Sequence, residues 1–277
     1  MKLLVLAALA AAAAVPLPAR TPRTWARDPA WHDGLAEKCV YEATRTVYGV
    51  PRAYLATAYT NKERVDPETT AKAEGERGFE AFKHHWSERV PTERYDYDYS
   101  TMVYLRADDL SAYKLTAATQ DDCGASFKEL VREGRDELAW RESVYFPGGG
   151  ARAGSLRRAS AVGLADALTL ALRDYDFEGR PVLDLELVPG QKDVHRVPFE
   201  PVRRRVRHLG REALDLPVGR VDAHALALET PEGEVEARYW FAADGGAPML
   251  HALVRYEGPQ GITYRLASHE RTAYWKR

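Results

Sequence analysis

The chain has 277 residues, with 39 Lys plus Arg against 41 Asp plus Glu and a formal net charge of −2. Charges this evenly balanced and intermixed create no global field for capturing nucleic acid. Beyond the N-terminal leader no stretch holds enough consecutive apolar residues for a transmembrane helix, and the length suits one large β-domain or two smaller ones.

Residues 1–19 have the parts of a cleavable signal peptide in order. Lys2 supplies the positive start, residues 3–15 are an unbroken run of Leu, Val and Ala, and Pro16-Leu17-Pro18-Ala19 breaks the run and offers a small residue for cleavage. Ala14 is the alternative cleavage point. The apolar run is shorter than the roughly 20 residues that span a hydrocarbon core. The mature chain is therefore expected in the periplasm or outside the cell. Residues 20–158 form an N-terminal β-rich region and residues 159–277 a helix followed by a β-meander, the two making one continuous domain.

Period-two alternation, the mark of a strand with one buried face, dominates the mature chain. Residues 41–48 and 53–59 are expected as strands, with Gly49-Val50-Pro51 as the turn between them. Residues 61–92 are rich in Lys, Glu and Arg and are expected as a long polar loop with some helix around 67–75. Alternation returns with Tyr95, Tyr97, Tyr99, Thr101, Val103 and Leu105 on one face. Asp108-Asp109 starts a turn and 110–119 is the next strand. Residues 126–146 fit either a helix or a hairpin turning at 133–136, and the long strands on both sides favour the hairpin. Gly148-Gly149-Gly150 opens a loop that runs through Arg158. Residues 164–172, built from Leu, Ala, Asp and Thr without Gly or Pro, are expected as a helix packed on the sheet.

From Pro181 onward, strands recur every dozen residues or so between tight turns. Their rows are Leu183/Leu185/Leu187, Val221/Ala223/Ala225/Ala227, Val235/Ala237/Tyr239/Phe241, Leu250/Ala252/Val254/Tyr256 and Ile262/Tyr264/Leu266. The expected fold is mainly β: an antiparallel meander forming a curved sheet or open barrel with one packed helix and a polar insertion.

Catalytic constellations are missing. There is no Gly-x-Ser-x-Gly, His-Glu-x-x-His, Walker loop, Gly-x-Gly-x-x-Gly or Cys-x-x-Cys. Adjacent His84 and His85 on a strand would point to opposite faces. Neighbours such as Ser268-His269-Glu270 rarely build a triad. No residue set calls for a metal or a cofactor. Cys39 and Cys123 are a candidate disulfide in an exported chain, free buried thiols being the alternative. Cys123 follows Asp121-Asp122, whose charges oppose a thiolate nucleophile. The run Arg203-Arg204-Arg205-Val206-Arg207-His208 suits a charged, self-protecting edge strand, or a contact with anionic lipid or polymer. Tyr95, Tyr97, Tyr99, Tyr239 and Phe241 are the candidate lining of an apolar ligand site, with ordinary core as the alternative.

Three segments, Tyr41-Glu42-x-x-Arg45-x-x-Tyr48-Gly49, Tyr99-Ser100-Thr101-Met102 and Thr119-Gln120-Asp121-Asp122-Cys123-Gly124, resemble a group of exported bacterial proteins of unknown function often labelled septum formation inhibitor. This chain has Asp122 where that group has an aromatic residue. The segment from Leu216-Pro217-Val218-Gly219 through Tyr239-Trp240-Phe241 is similar to β-rich half-barrel domains of unknown function in bacterial envelopes. The resemblance implies an antiparallel half-barrel with an envelope role and transfers no functional residue. A non-enzymatic envelope protein that binds or scaffolds, with an apolar or lipid-like molecule or an envelope component as partner, is the function expected. A thiol-dependent or hydrolytic enzyme centred on Cys123 is the alternative.

Overall fold

A computed structural model describes residues 24–134, 136–157, 162–179 and 182–276, so the expected leader at 1–19 lies outside the described residues. Among the described residues, fifteen strands join in one sheet. The first eight are β1 (Ala36–Val47), β2 (Val50–Val65), β3 (Phe79–Val90), β4 (Tyr97–Arg106), β5 (Ala112–Asp121), β6 (Gly124–Glu133), β7 (Glu137–Val144) and β8 (Gly150–Arg157). Next come β9 (Val162–Leu164) and a helical segment made of a 3-10 turn (Ala165–Ala167), helix α1 (Leu168–Ala171) and a second 3-10 turn (Leu172–Asp174). The last six strands are β10 (Val182–Val188), β11 (Val202–Leu216), β12 (Gly219–Glu229), β13 (Val235–Ala242), β14 (Leu253–Glu257) and β15 (Thr263–Thr272).

The strand order is β8-β7-β6-β5-β4-β3-β2-β1-β15-β14-β13-β12-β11-β10-β9. Two meanders thus run outward from a central seam where β1 pairs with β15, Ala36 opposite Thr272 and Cys39 opposite His269. The described neighbours pair antiparallel except β9 and β10, which pair parallel. The edges β8 and β9 do not join, so the sheet is open. It curls around the helical segment, because that segment is apolar on more than one side. Leu168 and Leu172 pack with Tyr41, Trp86, Tyr239 and Leu266, while Leu164 and Leu170 pack with Phe82, Leu105, Leu115 and Phe199. The expected open barrel with one packed helix is the fold observed.

Several local expectations change. The first turn falls at Tyr48-Gly49, with φ of 51° and 76°, and Val50 and Pro51 already belong to β2. Positive φ at both central residues suits the twist of a two-residue hairpin. Most of residues 61–92 is strand rather than loop. Lys62, Glu63, Glu80 and Lys83 form a ladder of ion pairs across β2 and β3, with Lys62–Glu80 and Lys83–Glu63 both at 3.2 Å. The polar insertion shrinks to 66–78, where Asp66 Oδ1 accepts from the Glu68 N–H at 2.8 Å and makes a turn instead of a helix. Residues 150–157 form edge strand β8, not a loop. Gly154 is required there, because a Cβ would sit 2.7 Å from the Trp140 ring. The hairpin expected at 126–146 is β6–β7.

The arginine run is internal, between β10 and β12, and each cation has a carboxylate. Arg203–Glu186 stands at 3.7 Å, Arg204–Glu236 at 2.5 Å and Arg205–Asp184 at 2.9 Å, and Arg207 pairs with Glu229. It is therefore neither an edge strand nor a free basic patch. The disulfide expectation is also corrected: both cysteines are free, Cys39 buried and Cys123 exposed. Cys39 lies on β1 and Cys123 in the β5–β6 turn, so four strand spacings of about 4.8 Å each separate their strands.

Candidate functional site: a cavity inside the curved sheet

Curling the sheet leaves room between its inner face and the helical segment. The space is a cavity of about 610 Å³, within the usual range of about 300–1,000 Å³ for small-molecule sites. Trp86 and Thr101 enter from β3 and β4, Leu228, Ala237 and Tyr239 from β12 and β13, and Tyr256 and Tyr264 from β14 and β15. Asp166 and Thr169 project from the helical segment, and the segment after β10 brings Pro189, Gly190 and Lys192. Gly190, Val235, Glu236 and Pro259 are the exposed members of the lining, and the last three mark a mouth beside Val202, Arg204 and Ile262.

One end of the cavity is polar. Glu88 on β3 is buried, and its Oε1 accepts from Lys192 Nζ at 2.5 Å, from Trp86 Nε1 at 2.8 Å and from the Tyr264 hydroxyl. Its Oε2 accepts from Tyr54 at 3.3 Å and lies 3.6 Å from Arg45 Nη1. Burial pushes the Glu88 carboxyl up, but the charge and hydrogen bond of Lys192, the Tyr264 hydroxyl and Arg45 outweigh it and hold it below the ordinary range. The neighbouring Asp166 goes the other way. Burial raises its carboxyl despite the 2.7 Å bond its Oδ2 accepts from the Gln191 N–H and despite Lys192 and Lys128. Burial also raises the Tyr256 hydroxyl to about 12.

The segment that delivers Lys192 is fastened from below. Lys128 on β6 is 1% exposed and donates to the carbonyls of Gln191, Asp193 and His195 at 3.1, 3.1 and 2.6 Å. A buried ammonium surrounded by carbonyl oxygens in this way satisfies its three donors and fixes an otherwise irregular stretch.

A second buried group lies at the seam. Arg173 Nη1 and Nη2 donate to Glu37 Oε1 and Oε2 at 3.0 and 2.7 Å, and His269 Nε2 lies 3.1 Å from Oε1. Burial raises the Glu37 carboxyl, but Arg173 and His269 bring it down to about 2. Cys39 completes the group: one ligand atom each of Glu37, Cys39 and His269 lies within 4.8 Å of the others. Burial and the Glu37 charge push the Cys39 thiol up. Arg173 engages both carboxylate oxygens, and the arrangement clamps the helical segment to β1 and β15.

The five aromatic candidates pack into one large apolar cluster but do not together line the cavity. Tyr239 is on the cavity wall and Phe241 lies behind it, stacked at 6.3 Å. Tyr97 and Tyr99 stack on each other at 6.1 Å on the other arm of the sheet. Tyr95 stands before β4, its hydroxyl 3.4 Å from that of Tyr97 and 3.2 Å from Cys123 Sγ. Cys123 also takes a turn geometry from Asp121 Oδ1, which accepts its N–H at 2.7 Å. Neither contact is the cation or imidazole that activates a thiol. His84 and His85 point apart as expected, His84 to Thr60 and Thr169 and His85 to Ser100. His269 engages Glu37, while Glu270 pairs with Lys38 at 2.8 Å, so the adjacent Ser-His-Glu trio is not a triad. Asp166, Thr169 and Lys192 are wall residues that no motif marks. The one signal in that part of the sequence is Pro189-Gly190, which ends an alternating strand just before Lys192.

No protein-family model and no curated protein matches the chain. Among solved structures it is similar to the crystal structure of a beta-barrel-like protein of domain of unknown function DUF1849 from Brucella abortus. The TM-score is 0.52 at 10% identity, over 86% of this chain and 98% of that one. At that identity the likeness concerns the fold.

Proposed function

We propose that this chain is an exported, non-enzymatic binding protein that houses a molecule with an apolar body in the cavity of its curved sheet. The observation that carries this is the 610 Å³ space walled by Trp86, Leu228, Ala237, Tyr239, Tyr256 and Ile262. Pockets of this size with mostly apolar walls and a few convergent polar groups are where small molecules bind. Export rests on residues 1–19 and on the resemblance to exported envelope proteins. Val235 is 41% exposed at the mouth, so Val235→Trp fills the opening without disturbing the core. Titration with an apolar fluorescent probe is expected to show saturable binding that Val235→Trp weakens at least tenfold with an unchanged melting temperature. Binding that is equally strong in both proteins would place the ligand elsewhere. Fractionation of cells expressing the full chain tests export, with a shortened protein outside the cytoplasm as the expected result.

A further inference from the structure

Two histidines meet on the inner face of the sheet, and neither lines the cavity. His208 on β11 stands opposite Leu226 of β12, and His224 lies two residues before Leu226 on the same face. The register of β11 shifts between His208 and Gly210. That bulge leaves Leu209 without a partner in the ladder, and Gly210 takes a φ of 116°, a backbone conformation that favours glycine. Bulges increase local twist and re-aim side chains. Here His208 Nε2 comes to 3.3 Å from His224 Nδ1, at the long end for a hydrogen bond.

The same spacing is that of two ligands to one ion. Two imidazole nitrogens bound to a tetrahedral ion at about 2.0–2.1 Å stand about 3.3–3.4 Å apart, with their ring centres about 5.2 Å apart. The nitrogens of His208 and His224 are 3.3 Å apart and their ring centres 5.3 Å, with the rings inclined at 56°. Phe177, on the segment after the helical turns, stacks on His224 at 4.2 Å and 11° and lies 5.7 Å from His208. An apolar shell of this kind holds ligand rings in place. Burial, with the charges of His208 and His251, lowers the His224 imidazole to about 4, so at neutral pH it offers a lone pair. Arg211, whose charge also reaches His224, is paired with Asp222 at 2.9 Å, and the Glu178 carboxylate acts on the same ring with the opposite sign.

Among the described residues no third carboxylate, thiol or imidazole comes within 4.8 Å of both nitrogens. The pair therefore leaves coordination positions to water, as open zinc sites do. The group of Glu37, Cys39 and His269 is less suited to an ion, because Arg173 already engages both Glu37 oxygens.

We infer that His208 and His224 form a binding site for a divalent transition ion such as zinc or copper, with one nitrogen of each ring on the ion. Imidazole nitrogen suits these ions, whereas calcium and magnesium take oxygen ligands. The site stands apart from the cavity and from whatever the cavity holds.

The experiment titrates the full chain, without an affinity tag and near pH 7, with Zn²⁺, with Cu²⁺ and with Ca²⁺. Saturable binding of one Zn²⁺ or Cu²⁺ per chain is expected, and the ion that binds at the lower free concentration is the preferred one. His208→Gln and His224→Gln are each expected to weaken binding at least about tenfold, while His195→Gln, which alters an exposed histidine elsewhere, leaves it within about twofold. Absence of saturable binding up to about 0.1 mM free ion, equal binding of Ca²⁺, or binding that survives in both variants overturns the site. With Co²⁺ as the probe, a thiolate-to-cobalt absorption band that disappears in Cys39→Ser would place the ion on the Glu37 group and overturn it as well. If a variant loses its near-ultraviolet circular dichroism, imidazole nitrogen spectra of the wild type decide. Zinc is expected to shift the signals of His208 and His224, and shifts confined to other histidines overturn the assignment.

Discussion

Arg173→Met is the sharpest test of how the helical segment is held. The side chains of Arg173 and Glu37 are each 1% exposed and share two parallel hydrogen bonds. Removing the guanidinium strands a buried carboxylate, and breaking a buried pair in this way costs about 3–5 kcal/mol. An independent route gives a similar size. The Glu37 carboxyl lies at about 2 against an ordinary 4.5, a gap worth about 3 kcal/mol. The sign follows from the depressed value: the stability Glu37 brings is complete above pH 4.5 and drains away as the pH falls toward 2. Without Arg173 burial pushes the carboxyl up, so the variant suffers most at neutral pH and its deficit shrinks in acid as Glu37 takes a proton. Urea unfolding of both proteins near pH 7 and near pH 4 measures this. Arg173→Met/Glu37→Gln is expected to recover most of the loss, because no charge is left behind. A loss below about 1 kcal/mol, the scale of an exposed pair, or a deficit independent of pH, refutes the assignment of this pair as a buried clamp.

The same contacts set three other outcomes. Thiol titration without reductant is expected to count one fast thiol, Cys123, in the native protein and a second, Cys39, only after unfolding. Two thiols that appear only with reductant would mean a bridge. Lys128→Met removes the donor to three carbonyls, and mass spectrometry after limited proteolysis is expected to find the first cuts within 189–199; cuts confined to other loops would show that Lys128 does not hold this segment. His84 is fully buried, and burial with the Arg173 charge lowers its imidazole to about 3 from 6.5. A depressed histidine keeps its full contribution above pH 6.5 and loses it as the pH falls toward 3. His84→Gln should therefore flatten the acid limb of the stability profile by up to one proton, and an unchanged slope would show that His84 does not titrate on unfolding.

How much of the fold was legible in the sequence varied with what covers each strand. Tyr97, Tyr99, Thr101, Val103 and Leu105 alternate cleanly, because β4 has a buried face and a half-exposed face. The charged residues 61–65 and 79–83 hid the end of β2 and all of β3, because cross-strand ion pairs occupy the outward face where small polar residues are usual. β12 misled in another way. Both of its faces are buried from Ala223 to Glu229, so alternation could not tell them apart. The face toward the cavity is that of Leu226 and Leu228, opposite Tyr239 and Ala237, whereas Ala225 lies opposite Trp240 on the other side. The candidate site was the least legible part. Tyr239 was found because it sits on an alternating strand. Lys192 and Asp166 were not, since they come from irregular and helical segments that only the curvature of the sheet carries to the same place.

The pairing of β1 with β15 has a consequence for assembly. Each arm is a chain of local hairpins that can zip without distant partners, yet the middle of the sheet joins residues 232 positions apart, as Lys38 and Glu270 do. Loop closure over that span is entropically costly and slow. Until the last strand arrives, the two half-sheets expose their inward rows to water, and the buried Glu37 lacks His269. The interior is therefore complete only once β15 pairs with β1, which makes this ten-residue strand the keystone between the two arms.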